Sequence, residues 1–249
     1  MKISVITVCF NSATTIVDTL RSVAQQTYPN VEHVIIDGGS RDKTVELANS
    51  LIRSGGIVRS ESDKGIYDAM NKGLRLATGD IIGFLNADDV YADNDLLRRV
   101  VEMMEQTSLD ALFGDVEFFK SEAPEKAHRR YRSNRFRPDR IGWGWMPAHP
   151  TLFLRRRVFD EFGCFRENYK IAGDFELIAR IFKSNTLVYR YVPQVLVRMR
   201  IGGVSTGGWR NTIRLNKEVL RACRENGISS NWMKLLSKYP AKLFEFFLK

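Results

Sequence analysis

Cysteine is scarce in this chain of 249 residues, and Cys9, Cys164 and Cys223 form no C-x-x-C pair and no even-numbered framework. A disulfide scaffold and a cysteine-built metal site are excluded. The three are expected to be small core residues of a reduced, cytosolic protein. Long apolar runs are also missing. Nowhere do about 18 apolar residues follow one another, so no helix is expected to span a bilayer, and membrane contact is limited to peripheral attachment on the inner face. The opening apolar run meets Asn11-Ser12 too early for a signal segment and predicts a strand. Neither G-x-x-x-x-G-K-[ST] nor G-x-G-x-x-G occurs, so the two best-known phosphate-cradling loops are absent. There is no internal repeat and no low-complexity tract.

What is present suits a globular α/β protein: 44% hydrophobic and 27% charged residues. The net charge of +9 is unevenly spread. Residues 1–119 hold 11 Lys+Arg against 18 Asp+Glu, and residues 120–249 hold 27 against 11. The basic half is the one expected to meet a diphosphate or an anionic surface. Between Lys120 and Arg140 there are eight basic residues against three acidic ones, with no sustained periodicity, which predicts a mobile basic loop. No recognition helix or RNA motif accompanies it, so nucleic acid is not the expected partner.

Along the chain, apolar strands alternate with amphipathic helices. Ile3 to Phe10, Glu32 to Ile36, Ile57 to Ser60 and Asp80 to Leu85 read as strands, with helices between them over Ile16 to Ala24, Val45 to Ile52 and Tyr67 to Ala77. Such βαβ units predict a mainly parallel sheet flanked by helices. A helix near Asp95 to Gln106 and a strand from Ala111 to Phe119 follow. Further on come a strand at Thr151 to Leu154, helices at Arg155 to Phe162 and Asp174 to Lys183, and a strand at Leu187 to Val192. Gly202, Gly203, Gly207 and Gly208 mark a flexible segment, and a helix runs from Thr212 to Glu225. In Asn231 to Lys249, lysines on one face and aromatic and aliphatic residues over the remainder give the pattern of an interfacial helix. The expected organisation is a donor-binding half over 1–119, an acceptor-binding and catalytic half over 120–208, and a helical extension over 209–249.

The organising stretch is Ser62 to Asp89, which ends on Asn86-Ala87-Asp88-Asp89 where a strand should stop. Ligands of α/β sheets collect at that end. Adjacent carboxylates repel unless a cation sits beside them, so the pair is either a site for a divalent ion or a solvated turn capping the next helix. Asp37, before Gly38-Gly39, is a second carboxylate at a strand end.

Four stretches in this order, Thr7-Val8-Cys9-Phe10-Asn11, Asp37 to Thr44, Gly65 to Gly73 and Leu85 to Asp89, resemble the family 2 inverting glycosyltransferases of GT-A fold. The resemblance is dense over roughly the first 120 residues and thinner over about 145–205. It implies a GT-A type mixed, mainly parallel sheet with a Rossmann-like nucleotide-binding half. It also implies that Thr7, Phe10, Asn11 and Asp37 hold the base of a nucleotide sugar, and that Asn71 and its helix line the pocket, with Asp63 and Asp68 taken alongside. Asp88 matches the last acid of the family's Asp-x-Asp motif and would hold Mn²⁺ or Mg²⁺ on the diphosphate, with Asp89 sharing the role. Asn86 stands where the motif has its first acid, so a ribose contact there would be a neutral hydrogen bond. Asp174, in Ala172-Gly173-Asp174-Phe175-Glu176-Leu177, matches the family's general base; as a residue at a helix start it also reads as an ordinary N-cap.

Three further readings come from the residues themselves. His149 is either a third metal ligand or a structural histidine. Arg198 and Arg200 either close over the diphosphate or are surface arginines, with Arg200 the preferred contact. Trp143 and Trp145 stack on an acceptor sugar or belong to the core. The expected function is metal-dependent transfer of a sugar, from a UDP-sugar, to a glycan or polyprenyl-diphosphate-linked acceptor in bacterial surface polysaccharide synthesis. A nucleotidyltransferase acting on sugar phosphates and a non-catalytic polyanion-binding module remain as alternatives.

Overall fold

A computed structural model of the chain describes residues 1–202 and 209–237. Its centre is β1 (Ile3–Cys9), every residue of which is buried, as a strand covered on both faces requires. After α1 (Ile16–Ala24) the chain returns as β2 (Val31–Asp37), parallel to β1 from Ile3↔Val31 to Cys9↔Asp37. Helix α2 (Thr44–Leu51) leads to β3 (Ile57–Ser60), parallel to β2, and α3 (Ile66–Leu76) leads to β4 (Ile81–Phe84), parallel to β1 on its other side. Ile16, Leu20 and Ala48 of α1 and α2 pack on one face with Cys9 and Ile35. Met70 and Leu74 of α3 pack on the other with Ile6, Val34 and Ile36. A parallel sheet buried by helices on both faces follows from those two apolar sets.

Beyond β4 come β5 (Asp89–Tyr91), α4 (Leu96–Gln106), β6 (Ala111–Lys120), β7 (Ala123–Tyr131), β8 (Phe153–Arg155), α5 (Arg156–Phe162), α6 (Gly173–Lys183), β9 (Tyr189–Arg200), α7 (Trp209–Glu225) and α8 (Trp232–Leu236). The strands run in the order β3-β2-β1-β4-β8-β6-β9-β5, with β7 paired to β6. β8 is antiparallel to both β4 and β6, while β9 is parallel to β6 and antiparallel to β5. The sheet is therefore mixed, and parallel through its first half. This is the mixed, mainly parallel α/β sheet that the resemblance implies.

Four local expectations change. The basic run after Lys120 is not a mobile loop: β7 forms a hairpin with β6, whose turn is Ser121-Glu122. Its cations carry the pairing. Arg130 bonds Asp115 at 2.7 Å, and the Arg129 guanidinium lies 4.3 Å over the Phe118 ring. A strand fastened by charges on a half-exposed face shows no apolar alternation to read. The strand expected at Leu187 to Val192 continues to Arg200, past Pro193, where shifts in its register with β6 accommodate the interruption. Asp89 does not merely follow a strand; it begins one of three residues, too short for any period. Cys164 is exposed, while Cys9 and Cys223 are buried. The Gly203 to Gly208 segment and the terminal lysines beyond Ser237 lie outside the described residues.

Candidate functional site

At the carboxyl end of β1, Asn11 adopts φ +49° and locks two loops together: its N–H donates to Ser40 Oγ at 2.7 Å and its Oδ1 accepts the Arg41 N–H at 2.9 Å. Asp37 gathers its own loop. Its carboxylate accepts from the N–H groups of Gly39 (3.0 Å) and Ser40 (2.9 Å), from Ser60 Oγ (2.7 Å) and from Ser40 Oγ. Burial pushes its pKa up, but those hydrogen bonds prevail and hold it below the usual range. Thr7 is buried, with Oγ1 2.9 Å from His33 Nε2. These three side chains knit together the loops at the carboxyl ends of β1 and β2. Phe10, 61% exposed, and Asp63, half-buried, stand open above Gly38; a Cβ on that glycine would collide with Asp63 Oδ2 and lie 3.5 Å from the Phe10 ring. An aromatic face and a carboxylate meet there over bare backbone.

From β4 the chain runs through Asn86 to the acid pair. Asp89 is fully buried. Asn86 Nδ2 donates to its Oδ2 at 3.3 Å, while its Oδ1 has no partner among the described residues. Arg200, at the end of β9, supplies a backbone N–H and a nearby positive charge. Its guanidinium donates to Asp18 at 2.8 Å and to Ser121 at 3.1 Å, and its Nε is likewise unpartnered. Burial raises the pKa of both Asp88 and Asp89, and the charge of Asp88 raises that of Asp89 further; Arg200 opposes this. A buried carboxylate oxygen without a partner, beside a second carboxylate, is satisfied either by a proton on Asp89 or by a cation. Hard oxygens suit Mn²⁺ or Mg²⁺, and an ion held by one or two carboxylates takes its remaining ligands from substrate phosphates and water, so the residues fit. Arg198 is likewise ion-paired, with Glu117 at 3.0 Å.

His149 does not complete a three-ligand centre: among the described residues no group of three His, Cys, Asp or Glu is placed to hold a metal. Instead the imidazole stacks on Phe84, 5.7 Å between centroids, and meets Phe165 edge-on at 5.9 Å. Burial depresses its pKa, and the charge of Asp174 opposes that shift.

Asp174 opens α6. The preceding Gly173 packs so closely on Tyr67 that a Cβ would lie 2.7 Å from the ring. Asp174 Oδ1 accepts the Phe175 N–H at 2.7 Å. Burial raises its pKa despite His149, that N–H and Tyr67, which all favour the charged form. A carboxylate moved upward in this way is a better proton acceptor, while its half-buried position leaves an opening to solvent. Tyr67, read from the sequence only as part of a helix, stacks on Phe165 at 5.8 Å, and Phe165 meets Phe84 edge-on at 5.1 Å. This aromatic cluster joins the end of β4 to the start of α6, and hence the acid pair's strand to Asp174.

The remaining candidates have these surroundings. Asn71 is buried and bonded to Phe165. Asp68 accepts the Lys64 N–H at 2.9 Å and pairs with Lys72 at 3.4 Å. Trp145 is buried, with Arg135 5.2 Å from its ring, whereas Trp143 is 42% exposed beside Lys234 of α8. Of the two, only Trp143 presents a substantial open face.

Residues 4–163 match the family model for glycosyl transferase family 2. A PGL/p-HBAD biosynthesis glycosyltransferase of Mycobacterium bovis (strain BCG / Pasteur 1173P2) is 33% identical over 222 residues, 88% of this chain and 82% of the relative. S. aureus TarS 1-349 in complex with UDP superposes with a TM-score of 0.68 at 18% identity, covering 96% of this chain and 72% of that one. The mannosyltransferase PcManGT from Pyrobaculum calidifontis in complex with GDP-Man and Mn²⁺ gives 0.64 at 20% identity. That match covers 88% of this chain, which spans 64% of the Pyrobaculum chain. The two structural likenesses establish the fold.

Proposed function

The chain belongs to glycosyl transferase family 2 and is a glycosyltransferase, and from that premise we propose a metal-dependent, inverting transfer from a nucleotide-sugar donor, a UDP-sugar, to a lipid-linked glycan acceptor. The observation that carries the reading is the acid pair Asp88-Asp89 with its unpartnered Oδ1 beside Arg200, joined through Phe84 and Phe165 to a second, separate carboxylate, Asp174. Two acids in different surroundings suit two different tasks.

In this reading Phe10 stacks on the base while Asp63 accepts from its imide N–H. Asp88 and Asp89 hold Mn²⁺ or Mg²⁺, which neutralises the diphosphate leaving group when bound. Arg200 adds a fixed positive charge at the same end. Asp174 takes the proton of the acceptor hydroxyl as its oxygen attacks the anomeric carbon; the bond from that carbon to the diphosphate oxygen breaks, and the nucleoside diphosphate leaves with the electron pair. One displacement inverts the anomeric centre. The complexes of TarS with UDP and of the Pyrobaculum enzyme with GDP-Man and Mn²⁺ support a donor and a metal of this kind.

The acceptor is assigned to a membrane surface. Arg210, Arg214, Lys217 and Arg221 line one cavity on α7, of about 340 Å³, and Trp232, Met233 and Leu236 are exposed on α8. Among the described residues no helix is long and apolar enough to cross a membrane, and the basic and apolar exposed residues of α7 and α8 suit attachment at the surface. A role in bacterial surface polysaccharide synthesis follows from a lipid-linked acceptor presented at the inner face.

The deciding experiment is thermal shift with a panel of UDP- and GDP-sugars, with and without Mn²⁺. A cognate donor at 100 times its Kd stabilises by about 2.7 kcal/mol, and Asp88→Asn or Asp89→Asn should remove the metal-dependent part. No stabilisation by any nucleotide with Mn²⁺ would leave a polyanion-binding module. Release of pyrophosphate from nucleoside triphosphate and sugar phosphate would instead mark a nucleotidyltransferase.

A further inference from the structure

We propose that Glu218 is a positioning residue for the transfer step, acting through the segment that carries Asp174. Three consecutive backbone N–H groups converge on its carboxylate: Lys170 at 3.2 Å, Ile171 at 2.9 Å and Ala172 at 2.9 Å. Gly173 and Asp174 follow directly. Successive N–H groups turned to one side make an anion-binding concavity. Here the anion is a side chain of the same protein, delivered from the middle of α7.

The segment is held from both sides. Tyr67 of α3 donates its hydroxyl proton to the Ile171 carbonyl at 2.7 Å, and the absence of a Cβ at Gly173 allows the ring to close against the backbone. From α7, Arg221 stacks 3.8 Å over the Tyr169 ring and donates to the Asn168 carbonyl at 3.1 Å, while Tyr169 donates to Glu225 at 2.8 Å. Residues 168–172 are thus clamped between α3 and α7. Glu218 is the element of that clamp that fixes peptide orientation, because one carboxylate satisfies three donors at once. Removing it turns those N–H groups toward water and frees the peptide planes next to Gly173. Displacement of a reacting group by about 1 Å is enough to lower a rate about a hundredfold. Glu218 touches no reacting atom; its effect passes through Asp174, and the inference rests on Asp174 being the base.

The test measures UDP release with Mn²⁺ from UDP-glucose or UDP-N-acetylglucosamine, whichever stabilises the protein, with water as the acceptor that loses its proton to Asp174 and takes the sugar, in wild type, Glu218→Gln, Glu218→Asp, Asp174→Asn and the E218Q/D174N double variant. Glu218→Gln is expected to lower kcat between about ten- and a hundredfold while donor KM stays within about twofold. Amide hydrogen exchange at residues 170–172 is expected to quicken, and E218Q is expected to cause no further loss in the D174N background. Glu218→Asp keeps the charge on a shorter arm and should fall between; it carries the test if the glutamine variant does not fold. An unchanged kcat in E218Q, or an equal loss with and without Asp174, overturns the positioning role. Full turnover in D174N alone overturns the base assignment and the positioning role with it, whereas an inactive D174N beside a fully active E218Q overturns only the second.

Discussion

Asn71 and Phe165 hydrogen-bond each other twice: Asn71 Nδ2 donates to the Phe165 carbonyl at 2.9 Å, and the Phe165 N–H donates to Asn71 Oδ1 at 3.0 Å. A buried amide on α3 thereby pins the ring that links Phe84, His149 and Tyr67. Asn71→Asp keeps the acceptor but loses the donor, leaves the Phe165 carbonyl unsatisfied and sets a carboxylate beside Glu167, now 3.2 Å away. A loss of about 2–3 kcal/mol is expected in urea denaturation, larger than that of a surface Asn→Asp change. An unaltered midpoint would show that the loop does not depend on this pair.

Glu176, two residues beyond Asp174, has the opposite fate. It is fully buried and bracketed by Arg180 at 3.0 Å and Arg166 at 3.3 Å, with Asn226 Nδ2 at 3.3 Å. Glu176→Ala strands the Arg180 charge and should destabilise by about 3–5 kcal/mol, whereas Glu176→Gln retains part of the hydrogen bonding and loses less. If the two variants unfold at the same urea concentration, the charge of Glu176 is not what matters.

His33 makes stability depend on pH. Burial pushes its pKa down to about 3, against 6.5 when exposed. The unfolded chain takes up a proton below about pH 6.5 and the native chain does not until about pH 3, so this contribution is complete above 6.5 and is lost as pH falls, by up to about 1.4 kcal/mol per pH unit. Glu32, held at about 2 by Lys2, Ser4 and Thr78 against the upward push of burial, adds acid sensitivity only below about 4.5. His149 shares the upper window, so the measurement is the difference between wild type and His33→Gln. Urea midpoints at pH 7 and pH 5 should separate less in the variant. Equal separation would mean that His33 is not the group titrating.

The parallel half of the sheet was legible because each strand and each helix shows its own period within a few residues. The acid pair was placed by its position at a strand end and Asp174 by resemblance to a family motif, and the structure sets them at the start of β5 and of α6. What the side chains of Thr7, Asp37 and Asn71 do was not, because the sequence names a polar group and leaves its partner open: His33, Ser60 and Phe165 lie 26, 23 and 94 positions away. Strand β7 escaped because cations, rather than apolar residues, fasten it. His149 next to a tryptophan-rich run gave no hint that aromatic rings, and not the acid pair, would be its neighbours.

The basic face of α7 gives the membrane proposal its own test. Arg210, Arg214 and Lys217 recur at helical spacing on an exposed face, and each cation near an anionic bilayer is worth about 1 kcal/mol at the surface. Arg210→Glu, Arg214→Glu and Lys217→Glu combined should abolish flotation with liposomes containing anionic lipid, while binding of the donor with Mn²⁺ persists. Wild-type flotation should weaken as salt shortens the screening length below about 8 Å, and should be absent with neutral liposomes. Trp232→Ala with Met233→Ala removes apolar insertion and keeps the charge, so its residual binding should be the more salt-sensitive. If the charge-reversed protein floats as well as wild type, α7 does not face the membrane and the exposed apolar residues of α8 carry the attachment instead.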